Sequence, residues 1–286
     1  MKVLIVPNYT RDDALEAASE ITTWLEDNEC EVVWAHDRKY DGQRVCNIEG
    51  VSLVITLGGD GTLLRAAQIV GYTQIPILGI SFGHLGFLTT VGAKDYIASV
   101  ARALSGDLHL SRRATLDIAI NVDMPDGTCH TYHYFALNEL ALTRGPLGDM
   151  IEFDVSVSGN KIDTLRGDGF VVSTSTGSTG YALSAGGPFV TPEFNGMVCV
   201  PIAPHTILAR AFLTSPSDVV DLDIVPERTH ECTAFVDGTI VEEEGIVTSV
   251  SVSRGPGDII LFDEGAQSFY DSVSRVFWGG EKKCHD

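Results

Sequence analysis

Apolar residues along the first 105 positions come in short bursts whose period keeps changing. Residues 3–7 form a continuous apolar run of strand length. Between 12 and 27 the spacing lengthens, and Leu15, Ala18, Ile21 and Trp24 recur every three residues, near the helical period. Further strands are expected at 31–35, 51–57 and 75–80. Helices are expected at 62–70, with Thr62 as an N-cap type, and at 93–105. Strand and helix in alternation imply a mostly parallel sheet with right-handed crossovers.

Beyond position 110 the period falls to that of strands. Segments 114–122, 130–143, 151–158, 170–173 and 247–252 are β-rich, and Asp126-Gly127, Gly159-Asn160 and Asp237-Gly238 are hairpin-type turn signals. Short strands at this spacing suggest a sandwich or an open barrel. The expected fold class is α/β plus all-β. An N-terminal Rossmann-like α/β domain spans 1–108 and a C-terminal β-sandwich-like domain spans 109–265. Residues 266–286 form a tail that packs back on the N-terminal domain.

Charge narrows the function classes. Net charge is −20, from 39 acids against 19 bases, a surface that repels nucleic-acid backbones. Any phosphorylated ligand must have its charge met locally, by backbone N–H groups, a few Arg or Lys side chains, or Mg²⁺. The six cysteines are scattered without a CxxC pair, which argues against a zinc site or a disulfide framework. No apolar run approaches the ~18 residues of a membrane span, and the first residues turn polar too soon for a signal peptide. A soluble cytoplasmic protein is expected.

The chemistry concentrates in Gly58-Gly59-Asp60-Gly61-Thr62, between an expected strand and an expected helix. Three glycines in four positions let the backbone approach a ligand closely. A helix N-terminus at the same place directs N–H groups at phosphate. The loop lacks the Lys of a Walker A sequence and the spacing of GxGxxG. An acid here either caps the helix, takes a proton from an attacking hydroxyl, or holds Mg²⁺. Arg65, one turn on, is placed to reach a phosphate or to lie in solvent. A second run, from Gly167-Asp168 through Ser173, Thr176, Gly177, Ser178, Thr179, Gly180 and Tyr181 to Pro188, combines small hydroxyl residues with an aromatic face. Alone it reads as an ordinary loop as readily as a nucleotide contact.

The pentapeptide Gly58–Thr62 resembles the GGDGT motif shared by NAD kinases, 6-phosphofructokinases, diacylglycerol kinases and sphingosine kinases. The second run resembles the NAD kinase segment DG…TPTGSTAYxLSAGGP, with Ser175 in place of Pro and Gly180 in place of Ala. Gly83-His84-Leu85-Gly86-Phe87-Leu88 is similar to that family's N-x-G-x-L-G-F-L run, with Ser81 where Asn is usual. Leu137-Asn138-Glu139 matches its Asn–acid pair. The stretch from Pro201 to Arg210 resembles P-x-x-P-H-x-L-x-x-R-P, with Ala211 in place of the last Pro, and Phe235-Val236-Asp237-Gly238-Thr239 resembles a late D-G turn.

The resemblance implies transfer of the ATP γ-phosphoryl group to the adenosine ribose 2′-hydroxyl of NAD, with Mg²⁺ on the donor and a homodimer or homotetramer as the assembly. It implies Asp60 as general base and Gly58, Gly59, Gly61, Thr62 and Arg65 at the phosphates. Asn138, Glu139 and Thr239 would contact the acceptor, and Asp168, Ser173 and Thr176 to Tyr181 would line the nucleotide pocket. Arg166 would touch a phosphate, and Asp149 stands where the family often has His or Arg. Two other readings compete: a lipid or sugar kinase using the same loop, and a non-catalytic NAD(H)-sensing module. The Asn138-Glu139 pair and the Thr176–Tyr181 run oppose the first. The missing GxGxxG and the presence of Asp60 oppose the second.

Overall fold

The computed structural model describes residues 1–36, 47–83, 86–89, 91–145, 148–226, 229, 231–241, 245–263 and 267–278. They fall into two compact units, one comprising Met1–Arg112 and Ile259–Asp286, the other Arg113–Asp258. Among the described residues, no helix is long and apolar enough to cross a membrane. Cys30, Cys129, Cys199 and Cys232 are free thiols, while Cys46 and Cys284 lie outside the described residues.

The first unit starts with β1 (Lys2–Pro7), α1 (Asp12–Asp27), β2 (Glu31–Trp34), β3 (Val51–Gly58), α2 (Asp60–Val70) and β4 (Ile77–Ser81). It continues with β5 (Val91–Gly92), α3 (Tyr96–Ser105) and β6 (His109–Arg113). Helix α1 opens with Asp12 and Asp13, whose charges suit the positive end of the helix dipole. Its buried stripe is Ala14, Ala17, Ala18, Ile21 and Leu25, with Leu15 and Trp24 only half-buried at the margins. A strict three-residue repeat drifts round a helix of 3.6 residues per turn, so the edges of the expected stripe turn away from the core.

Helix α2 begins two residues before the expected start. Gly59 is its N-cap and Asp60 its first residue. The amides of Thr62 and Leu63 donate to the Gly59 carbonyl, so Thr62 lies inside the first turn and is not the cap. Helix α3 begins at Tyr96, three residues later than expected, after Asp95 in the left-handed region at φ 62°.

In the second unit come β7 (Leu116–Asp123), β8 (Cys129–Ala136), β9 (Glu139–Arg144), β10 (Ile151–Val157), β11 (Asn160–Gly167), β12 (Gly169–Ser173) and the single-turn helix α4 (Tyr181–Ser184). Then follow β13 (Val198–Ile202), β14 (Phe212–Leu213), β15 (Val219–Ile224), β16 (Cys232–Val236), β17 (Thr239–Ile240) and β18 (Ile246–Arg254). One antiparallel sheet runs β11-β10-β15-β18-β7-β8 and the other β14-β13-β12-β9-β16-β17. They form a sandwich around a shared core that includes Leu116, Ile118 and Phe153 of one and Leu140, Phe170 and Cys199 of the other. Phe153 meets Phe170 edge-on across it, with ring centroids 5.9 Å apart.

Asp237-Gly238 forms a two-residue hairpin loop between Val236 and Thr239, with φ of 47° and 73° at its two positions, the primed-turn geometry. The turn expected at Gly159-Asn160 sits one residue earlier, at Ser158-Gly159, because Asn160 already pairs with Val157. The single strand expected over 130–143 is two strands, broken at Leu137-Asn138.

The chain then re-enters the first unit through β19 (Ile259–Asp263) and α5 (Gln267–Trp278). The first sheet has the order β2-β1-β3-β4-β19-β6, with β5 also paired to β4. Strands β1, β2, β3, β4 and β19 pair in parallel, and Leu261 of β19 stands against Ile77. The expectation that the β-rich region reaches 265 therefore differs from the observed division at Asp258/Ile259. A short apolar run carries no mark of whether its neighbour is parallel or antiparallel.

Candidate active site

Strand β3 is buried along nearly its whole length and delivers Gly58 at its C-terminal end. A Cβ on Gly58 would meet Thr62 Oγ1 at 2.2 Å, so the turn into α2 closes only on glycine. Because β1 pairs directly with β3, the loops that follow the two strands lie side by side at the carboxyl edge of the sheet, where open α/β sheets bind ligands. Together they line a cavity of ≈ 300 Å³ formed by Pro7, Asn8, Tyr9, Thr10, Gly59, Gly61, Thr62 and Arg65. Arg65 lies over the Tyr9 ring at 5.7 Å and donates to the His36 carbonyl, which holds the guanidinium at the cavity wall. Asn8 Oδ1 accepts from the amide and hydroxyl of Thr10 and stiffens the opposite wall.

Asp60 makes no helix cap. Its carboxylate turns to the segment after β4, where Oδ2 accepts the Phe87 amide at 3.0 Å. Oδ1 accepts the Leu88 amide at 3.3 Å, the Thr89 amide at 3.1 Å and the Thr89 hydroxyl at 3.1 Å. A Cβ on Gly86 would fall 2.2 Å from Asp60 Oδ1, so the carboxylate fits only over a glycine. His84 and Leu85 of the same motif lie outside the described residues.

In the second unit the Asn138-Glu139 pair lies at the break between β8 and β9. The Asp237 carboxylate fixes the break by accepting the amides of Leu137 at 2.9 Å, Asn138 at 2.7 Å and Glu139 at 3.1 Å. The Ser/Thr/Gly run packs against it: the Thr174 amide donates to the Asn138 carbonyl, and the Thr174 hydroxyl to that of Leu137. A Cβ on Gly177 would meet the Asn138 carbonyl oxygen at 2.3 Å, so this contact requires glycine. Glu139 is buried, and burial first, then the nearby Asp237 charge, push its carboxyl up to about 7, opposed by a hydrogen bond from the Tyr181 amide. Glu139 and Tyr181, with Ala141, Thr143, Phe235 and Gly238, line a cavity of ≈ 370 Å³.

Three buried polar atoms at these segments have no hydrogen-bond partner among the described residues: Asn138 Oδ1, Glu139 Oε2 and Thr176 Oγ1. Desolvated groups of this kind are rare unless a ligand or water completes them. The other hydroxyls are committed to the chain itself. Ser173 donates to the Asn138 and Thr174 carbonyls, Ser178 to that of Ser175, and Thr179 to that of Thr176. Ser175, where the motif has Pro, donates to the Pro192 carbonyl.

The remaining expected positions do not line either cavity. Asp168 is paired with Arg144 at 3.1 Å, Arg166 is exposed on β11, and Asp149 is exposed just before β10. Thr239 is exposed at the start of β17, on the turn that carries Asp237. Sequence reasoning passed over Asn8, Tyr9 and Thr10, and it saw Asp237 only as a turn residue. The available signal for the first three was their place after a strand adjacent to β3.

Residues 35–108 match the ATP-NAD kinase N-terminal domain family and residues 137–262 the ATP-NAD kinase C-terminal domain family. The chain belongs to the NAD kinase family. An NAD kinase of Gemmatimonas aurantiaca is 37% identical over 252 residues, covering 87% of this chain and 85% of its own. An NAD kinase of Natranaerobius thermophilus is 34% identical over 293 residues, covering 97% and 98%. In three dimensions the chain is similar to an NAD kinase from Archaeoglobus fulgidus in complex with ATP, at a TM-score of 0.75 and 26% identity over 96% of this chain and 98% of that one. Its fold is also that of yeast NADH kinase complexed with NADH, at a TM-score of 0.83 and 20% identity over 99% of this chain and 88% of that one. As a member of the NAD kinase family this chain is a phosphotransferase that makes NADP from NAD, with ATP as the family's donor.

Proposed function

We propose that Asp60 is the general base of this NAD kinase and that Asn138, Glu139 and Thr176 recognise the nucleotide acceptor. In this reading the Asp60 carboxylate takes the proton of the adenosine ribose 2′-hydroxyl. The hydroxyl oxygen bonds to the γ-phosphorus as the bond to the β–γ bridging oxygen breaks, and ADP leaves. The observation that carries the reading is the trio of buried atoms left without partners at Asn138, Glu139 and Thr176, a set that hydroxyl and amide groups of a nucleotide would complete.

Gly58, Gly59, Gly61, Thr62 and Arg65 are assigned to the donor phosphates, supported by the ≈ 300 Å³ cavity that all but Gly58 line. Tyr181 is assigned to the acceptor, supported by its place in the wall of the Glu139 cavity. Gly177 and Gly180 keep the Ser/Thr/Gly run close to Asn138 and Glu139, and Ser173, Ser178 and Thr179 hold its shape. Asp168 orients Arg144. For Asp149, Arg166 and Thr239 the assignment to nucleotide binding rests on the family motif alone.

The described residues contain no group of three or more His, Cys, Asp or Glu able to hold a metal. A Mg²⁺ carried by the donor phosphates would be held largely by phosphate oxygens and water, leaving Asp60 to act as the base. Such an ion would supply positive charge against the donor phosphates. A cytoplasmic homodimer or homotetramer remains the proposed setting. The test is a coupled assay of NAD and Mg-ATP with NADP detection on wild type and Asp60→Asn. The variant is expected to lose about 10²–10⁴-fold in kcat with the NAD KM little changed. Near wild-type turnover by Asp60→Asn would sink the assignment.

A further inference from the structure

We propose that Thr89 is a positioning residue for Asp60, deciding which carboxylate oxygen stays open to the acceptor hydroxyl; the inference rests on Asp60 acting as the base. Thr89 is fully buried and follows the short segment after β4. Its hydroxyl donates to Asp60 Oδ1 at 3.1 Å and receives the Gly86 amide at 3.3 Å. Its own amide donates to the same Oδ1 at 3.1 Å, beside the Leu88 amide at 3.3 Å.

The two oxygens of Asp60 are therefore unequal. Among the described residues Oδ1 receives three donors, more than its two lone pairs can serve well, whereas Oδ2 receives the Phe87 amide alone, at 3.0 Å. A proton has room to arrive on Oδ2. A carboxylate on a helix terminus is free to rotate about its terminal torsion, which is broad and roughly two-fold. The donors to Oδ1 remove that freedom. Three of these four donors are backbone amides, so the Thr89 hydroxyl is the one member that a side-chain substitution deletes, and the same deletion takes the acceptor from the Gly86 amide.

Thr89→Val removes the hydroxyl at nearly constant shape, and Thr89→Ser restores it. Loss of one hydrogen bond to a charged group predicts about a tenfold fall in kcat, with KM for NAD and ATP within about twofold of wild type. Thr89→Ser is expected near the wild-type rate. In an Asp60→Asn background Thr89→Val is expected to change nothing further, since its effect passes through the carboxylate. Thermal melts establish that each variant is folded, and Thr89→Ala is read in the same cycle if Thr89→Val melts below the assay temperature.

Wild-type kcat in the hydroxyl-deleted variant, with Asp60→Asn impaired, overturns the assignment. So does an equal fall in both backgrounds, which marks Thr89 as a loop tie with no specific link to Asp60. Wild-type turnover by Asp60→Asn itself overturns the base reading instead, and the two failures are thereby told apart.

Discussion

Asp237 and Glu139 are tied by two hydrogen bonds, one to the Asp237 carboxylate and one to the Glu139 carbonyl, while their charges oppose each other. The Glu139 amide donates to Asp237 Oδ1 at 3.1 Å, and the Asp237 amide donates back to the Glu139 carbonyl at 3.0 Å. The Asp237 carboxylate also collects the amides of Leu137 and Asn138, so one side chain satisfies the amides of the break between β8 and β9. Asp237→Asn keeps one acceptor oxygen and turns an N–H₂ group toward those donors. Its unfolding free energy is expected to fall by about 1.5–3 kcal/mol, as for hydrogen bonds to a charged group. Urea titration of the two proteins checks this, and an unchanged midpoint would count against Asp237 as the clamp of the break.

Glu139 gives stability a pH dependence of known sign. Its carboxyl is raised from 4.5 to about 7 in the folded chain, burial being the larger cause. Between those values the folded state keeps a proton that the unfolded chain has released, so this group lowers stability as pH rises through the window. Glu139→Gln has no proton to lose. Its stability relative to wild type is expected to grow from pH 4.5 upward and to level off above pH 7, by on the order of 3 kcal/mol. Denaturant midpoints at pH 5 and pH 8 measure the difference. A constant difference across that range would contradict the raised carboxyl.

Local features carried most of the fold into view. Helix α1 matches the expected 12–27 because its apolar spacing and its two leading acids are properties of one segment. The Asp237-Gly238 hairpin matches because a primed turn needs φ > 0 at adjacent positions. The glycine loop stood out because close backbone approach demands several glycines together. What was hidden joins distant parts of the chain. Asp60 meets Phe87 to Thr89, Asp237 meets Leu137 to Glu139, and Asn8 to Thr10 flank Gly59 only because β1 pairs with β3. No periodicity encodes such meetings. Strand β19 fell inside the expected β-rich span for the same reason, since Ile259–Asp263 reads alike in either sheet.

Gly86 should tolerate no side chain. A Cβ there would sit 2.2, 2.3 and 2.4 Å from Asp60 Oδ1, Oδ2 and Cγ, so the carboxylate or the loop must shift by about 1 Å to restore ordinary contact. Displacement of that size at a reacting group costs about 10²-fold in rate. Gly86→Ala is therefore expected to lower kcat about a hundredfold. A melting curve close to wild type would separate a displaced base from a collapsed fold. Full activity would show that the Asp60–Gly86 contact is dispensable.

Thr176 sets stability against binding. Its hydroxyl is buried and has no partner among the described residues, a condition that costs about 1–3 kcal/mol in the free protein. Thr176→Val keeps the shape and removes the unsatisfied group, so the ligand-free protein is expected to melt higher. If the hydroxyl serves the nucleotide, the same substitution removes a hydrogen bond that exists only in the complex, and the NAD KM should rise about tenfold. Melting with and without NAD reads both halves, because a bound ligand adds stability in proportion to its affinity. The variant should start above wild type and gain less from NAD. A variant that melts higher and gains as much as wild type would place the Thr176 hydroxyl outside the acceptor site, leaving Asn138 and Glu139 to hold the nucleotide.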